Sequence, residues 1–166
     1  MQDEKDAIQA AFASMAAPQA TWPGLVTSLN LNSMHDLDDM GKFVAFANLK
    51  NFVMEDIAWT CDLSALVNLT RLERFYWGFS SETYAPPSGN LDFLYGSRDS
   101  IKEISLINVG CEEEGIDLTP LLLFPSLEEL DIEGSYVYRA HYDQLVEQLP
   151  DLVIEGIDSA EFLEDE

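Results

Sequence analysis

The stretch Pro125–Ser135, PSLEELDIEGS, decides how this chain is read. In it Leu127, Leu130 and Ile132 follow the spacing LxxLxL. The same spacing recurs at Val26, Leu29, Leu31, at Leu49, Phe52, Met54, at Leu72, Phe75, Trp77 and at Ile101, Ile104, Leu106. Anchored on the middle apolar position, the five copies are 23, 23, 29 and 26 residues apart. Self-similarity on this scale marks stacked supersecondary units that bury their apolar faces against one another. The stretch LPDLVIEG, residues 149–156, reads as a sixth, degenerate copy with Leu152 and Ile154 as its inward pair.

Within a strand, successive side chains point to opposite faces. If the LxL positions face a core, their neighbours line an open sheet. Those neighbours are Ser28, Asn30 and Asn32, then Asn51, Val53 and Glu55, then Arg74, Tyr76 and Gly78. Glu103, Ser105 and Ile107 follow, then Glu129, Asp131 and Glu133, and finally Val153 and Glu155. The expected face is amide-rich at its start, aromatic in the middle and acidic at its end. Between the strands lie Leu37–Asn48, Leu63–Leu69, Leu91–Asp99, Leu118–Phe124 and Tyr142–Leu149, helical or turn-like in pattern, which can close the back of each unit.

On these motifs the chain resembles the leucine-rich-repeat family over residues 23–157. The resemblance implies an α/β fold: a solenoid with a short parallel sheet of five to six strands. The family usually carries Asn or Cys three residues after the third apolar position. Here Met34, Ile57, Ser80, Val109 and Ser135 stand there, so no polar ladder is expected and the solenoid is irregular. Residues 3–16 place Ile8, Phe12 and Met15 on one helical face, with Asp3, Glu4 and Asp6 in the first turn where the helix dipole favours them. This helix suits an N-terminal cap over the first unit. The expectation is one domain, 1–166, comprising a capping helix and linker over 1–22, the repeats over 23–157 and an acidic tail over 158–166.

The charge is far from ordinary: 31 acidic against 8 basic residues, a net charge of −23. From Cys111 onward there are 17 acidic residues and one basic residue, Arg139. A phosphate backbone needs Lys and Arg to neutralise it, so direct nucleic-acid binding is disfavoured, as is an anionic membrane surface. A basic protein is the natural partner. No apolar run approaches the roughly 20 residues of a spanning helix, and the start MQDEKDAIQA has no signal-peptide character, so a cytoplasmic location is expected. Cys61 and Cys111 are two isolated residues and read as free thiols.

Catalytic and metal chemistry find little support. His35 and His141 are the two histidines. Asp143 and Tyr142 lie beside His141 in sequence, but helix neighbours do not face one another. The stretch DLDDMG, 36–41, is similar to the start of a calcium loop, yet Met40 stands where an oxygen ligand belongs and Ala47 replaces the closing Glu. Glu112–Glu114 reads as a solvated turn. No catalytic residue, cofactor or metal is therefore expected, and the chain reads as a non-enzyme. The expected function is a scaffold that neutralises a basic protein. By analogy with acidic inhibitors and bacterial immunity proteins, this would be an immunity protein or inhibitor of a cationic, nuclease-type toxin. A recognition module or adaptor without inhibitory role is the alternative. The expected partner-binding residues are Arg74, Tyr76, Glu103, Glu129, Asp131, Glu133 and Glu155. The loop Ser80–Asp99 is a second candidate surface.

Overall fold

Each LxxLxL copy forms a strand in the computed structural model, which describes residues 22–32, 40–57, 63–80 and 89–164. The chain is a mixed α/β protein. Strands β1 (Ser28–Asn32), β2 (Asn51–Glu55), β3 (Arg74–Gly78), β5 (Glu103–Ile107), β7 (Glu129–Asp131) and β9 (Val153–Glu155) form a six-stranded parallel sheet in that spatial order. The register aligns Leu29, Phe52, Phe75, Ile104, Leu130 and Ile154 in one row. Leu31, Met54, Trp77 and Leu106 form a second row. Burial alternates along the strands, with Phe52, Met54, Ile104 and Leu106 inside and their neighbours outside.

A parallel pair needs a crossover. Here most crossovers carry a short 3-10 helix, at Gly41–Ala45, Ser64–Asn68, Asp92–Ser97 and Thr119–Leu123. The apolar spacing explains this choice. Met40, Phe43 and Phe46, then Leu63, Leu66 and Leu69, then Leu118, Leu121 and Phe124 recur every third residue. Three residues per turn is the 3-10 period, and it turns one edge inward. Phe43, Leu66, Leu94 and Leu121 each donate the backbone N–H to the carbonyl three residues earlier. In the Asp92–Ser97 helix the third inward position is Ser97. Its buried hydroxyl donates to the Leu69 carbonyl and accepts from the Leu72 N–H at 3.1 Å. Successive 3-10 helices lie so close that a Cβ on Gly96 would fall 1.8 Å from the Val67 carbonyl oxygen. The last crossover is α1 (Arg139–Gln148), an α-helix that buries Leu145.

A second parallel sheet runs beside the first, with β10 (Glu161–Leu163), β8 (Tyr136–Tyr138), β6 (Ile116–Asp117) and β4 (Gly89–Asn90) in that order. Residues 158–166, expected as an acidic tail, thus contribute a strand whose register sets Phe162 against Val137. The core between the layers is aromatic at its centre. Phe43, Phe52, Phe75 and Phe93 follow one another with ring centroids 5.7–6.2 Å apart. Trp77 meets Phe93 edge-on at 5.8 Å.

The turns after the strands correct one expectation. Polar groups do satisfy the backbone there, partly one residue earlier than the family spacing. Asp56 and Asn108 both adopt left-handed φ, near 50°. The Asp56 carboxylate accepts from the Ser80 N–H and hydroxyl, each at 2.8 Å. Asn108 Nδ2 donates to the Phe79 carbonyl at 2.7 Å. Ser135 stands at the family position itself. Fully buried, it donates to the Leu106 carbonyl at 2.7 Å and accepts from the Val109 N–H at 2.9 Å. The predicted capping helix over 3–16, together with His35 and Cys61, lies outside the described residues.

Candidate protein-binding face

The outward side chains of the six-stranded sheet form register rows. One row runs Ser28, Asn51, Arg74, Glu103, Glu129, Val153. The next runs Asn30, Val53, Tyr76, Ser105, Asp131, Glu155. Six of the seven expected binding residues therefore share two adjacent rows. The seventh, Glu133, lies just past the end of β7.

Charge is handled differently at the two ends of this face. Arg74 Nε sits 2.8 Å from Glu103 Oε2, so this cation is balanced inside the sheet. On the flank, the residue before each of β2, β3, β5 and β7 alternates in sign: Lys50, Glu73, Lys102, Glu128. Lys50 bonds Glu73 at 2.5 Å and Lys102 bonds Glu128 at 2.9 Å. The Lys50 hydrogen bond holds the Glu73 carboxyl below its ordinary value. The bond to Glu128 holds the Lys102 ammonium above its own. Composition could have hinted at this ladder, since the four residues occupy equivalent places in four repeats. At the β9 position the series meets Leu152, and no cation follows.

Beyond Glu103 the face carries Glu129, Asp131, Glu133 and Glu155. Among the described residues no ion pair involves any of them. Asp131 is turned partly toward the backbone, where Oδ1 accepts from the Glu133 N–H at 3.1 Å. Directly opposed like charges on neighbouring strands repel, and Asp131 faces Glu155 in register. Arg139, the sole basic residue after Lys102, stacks instead on Phe162, with its guanidinium 3.5 Å from the ring centre.

Tyr76 sits at the centre of the face. Its ring leans over Gly78, where an added Cβ would come within 2.6 Å of the phenol oxygen. Burial first, then the carboxylates of Glu55, Asp56, Asp131 and Glu133, pushes the phenol above its ordinary pKa. The strength of the local negative field is thus felt two strands away from Asp131.

Other chemistry lies elsewhere. His141 is half-buried, and its acidic neighbour is Asp117, not Asp143: Nδ1 lies 3.1 Å from Asp117 Oδ1 without hydrogen-bond alignment. That carboxylate accepts from the Thr119 N–H and hydroxyl. Cys111 is a free thiol in a turn closed by paired backbone bonds with Glu114. Among the described residues no group of three His, Cys, Asp or Glu could hold a metal ion, and no helix is long and apolar enough to cross a membrane. Of the loop Ser80–Asp99, Phe93 is buried, Tyr95 packs on Phe124 with ring centres 6.2 Å apart, and residues 81–88 lie outside the described residues. Comparison with known proteins finds no matching family model and no matching curated protein.

Proposed function

We propose that this chain is an irregular leucine-rich-repeat solenoid that binds and neutralises a basic protein. It acts as an immunity protein or inhibitor of a cationic, nuclease-type toxin in the cytoplasm. One observation carries the reading: among the described residues, Glu129, Asp131, Glu133 and Glu155 at the end of the outward face have no ion-pair partner, whereas Lys50, Arg74 and Lys102 on the preceding strands are already balanced. A nuclease channel is basic because its substrate is a polyanion. An acidic face of fixed spacing occludes such a channel by charge and shape.

The test captures binding proteins from the native host on the wild-type chain and on a Glu129→Gln, Asp131→Asn, Glu133→Gln variant. A basic protein retained by the wild type and lost by the variant is expected. Its association should slow as salt shortens the Debye length from about 30 Å to about 8 Å, and its own activity should fall on binding. Equal capture by both chains would refute the acidic-face reading. Capture with the partner's activity untouched would favour a recognition module instead.

A further inference from the structure

We infer that the free edge of β9 is a docking site for an extended segment of a basic partner, in which an apolar residue is flanked by Lys or Arg. This rests on the proposed basic partner and says where that partner is anchored. Among the described residues β9 pairs with β7 alone in this sheet. The Val153 N–H donates to the Glu128 carbonyl and the Glu155 carbonyl accepts from the Ile132 N–H. Backbone groups alternate in direction along a strand, so the N–H and C=O of Ile154 face the open edge. An edge of this kind accepts an added strand.

The inner row shows what the added strand would bring. Phe52, Phe75, Ile104 and Leu130 are each covered by the next strand and are at most 2% exposed, whereas Ile154, the last in the row, is only half-buried. Beside it a groove of about 180 Å³ opens, lined by Tyr142, Val146, Leu149, Leu152, Ile154 and Ile157. Ile154, which ends the inner row, is itself part of the groove's lining, so an inward side chain on an added strand would meet this apolar wall. Val146 and Ile157 are 46% and 37% exposed on its walls. The outward neighbours of that side chain would lie beside Val153 and Glu155, and the exposed acids Asp151 and Asp158 stand nearby in sequence. An apolar residue between two cations fits both features. A second copy of this chain does not, because its net charge of −23 meets the same acids.

The experiment uses the full chain and three capped seven-residue peptides. In the first, Val or Ile alternates with Lys. The second replaces Val and Ile by Ser and keeps the charge. The third places Pro at the centre of the first, removing an N–H. Affinity and amide exchange are measured for each. The alternating peptide should bind at least tenfold tighter than either control and slow exchange at Ile154. Val146→Asn with Ile157→Asn should bring its affinity down to that of the Ser peptide while leaving the melting curve cooperative. The Glu129→Gln, Asp131→Asn, Glu133→Gln variant should weaken all three peptides alike. Equal binding of the three peptides, all lost in that charge variant, would overturn the edge site and leave the acidic face standing. Failure of every peptide would overturn both. Ile154 already protected without peptide, or self-association through β9, would assign the edge to this chain itself and overturn the inference.

Discussion

Neutralising Glu129, Asp131 and Glu133 should stabilise the fold at low salt. Gln and Asn keep the shape of each side chain. The Asp131→Asn change in particular retains a carbonyl oxygen for the Glu133 N–H, which Asp131 Oδ1 now holds at 3.1 Å. The relieved repulsions are those of Asp131 with Glu155 across the strands and with Glu129 and Glu133 along the chain. The contact of Glu129 with Glu103 counts for less, because Arg74 already balances Glu103. Unit charges about 6 Å apart in water interact by about 0.7 kcal/mol, before screening. Three such contacts give about 2 kcal/mol in the same high dielectric. The unfolded chain keeps much of the repulsion between residues two apart, which leaves about 1 kcal/mol of net relief at about 10 mM salt. Screening reduces this to a few tenths at about 1 M, where the Debye length is about 3 Å.

For a chain of this size about 1 kcal/mol corresponds to about 2–4 °C in melting temperature. Thermal melts of wild type and variant at about 10 mM, 150 mM and 1 M salt, spanning Debye lengths from about 30 Å to about 3 Å, therefore provide the assay. The variant should melt higher at the lowest salt and converge with wild type at the highest. A variant that melts lower at every salt concentration would show that these carboxylates make structural contacts, and the repulsion argument would fail.

Three further outcomes are expected. Ser135→Ala leaves the Val109 N–H and the Leu106 carbonyl buried without their partner, and should cost about 2–4 kcal/mol in urea unfolding, at about 1–3 kcal/mol per orphaned group; a loss below about 0.5 kcal/mol would mean that water replaces the hydroxyl. Leu130→Ala removes a fully buried member of the inner row and should cost about 2–5 kcal/mol by the same measurement; a smaller effect would show that the row is loosely packed at β7. The Tyr76 phenol should ionise at higher pH than an ordinary tyrosine, read as the absorbance change lost in Tyr76→Phe. Because its folded-state pKa is raised, its contribution to stability is complete below the ordinary phenol pKa and disappears as pH climbs through the raised value; a phenol titrating at or below the ordinary value would contradict the burial of its ring over Gly78.

The strand register was legible because period two and a fixed repeat together leave little freedom. Once Leu29, Phe52, Phe75, Ile104 and Leu130 are taken as one row, the outward neighbours follow, and with them the rows holding Arg74, Tyr76, Glu103, Glu129, Asp131 and Glu155. The 3-10 crossovers were less legible. Met40, Phe43 and Phe46 carry the three-residue period, but over so short a stretch it is hard to separate from the roughly 3.6 of an α-helix. Strands β4 and β6, two residues each, are too short to show any alternation. The roles of Ser97 and Ser135 are invisible by type, since a buried serine looks like a surface one until its partners are known. The pairing of His141 with Asp117 joins residues from different units and needs the tertiary fold.

If the proposed function holds, the acidic face and the open edge would act on different steps of binding. Exposed carboxylates attract a basic protein over a Debye length but hold it weakly, so they govern association and its salt dependence. On the inferred edge site, the half-buried Ile154 and the groove beside it would exclude water only once a segment has docked, and so would govern dissociation. The ladder from Lys50 to Glu128 ends where Leu152 takes its place, and the inner row ends at Ile154 on the same strand. Among the described residues, the carboxylates without an ion-pair partner and the uncovered strand β9 therefore fall at one end of the sheet. A partner supplying only charge would associate fast and leave fast. One supplying charge and an apolar strand would be steered by Glu129, Asp131 and Glu155 and retained by β9. Loss of the carboxylates should then appear mainly in the association rate, and Val146→Asn with Ile157→Asn mainly in the dissociation rate.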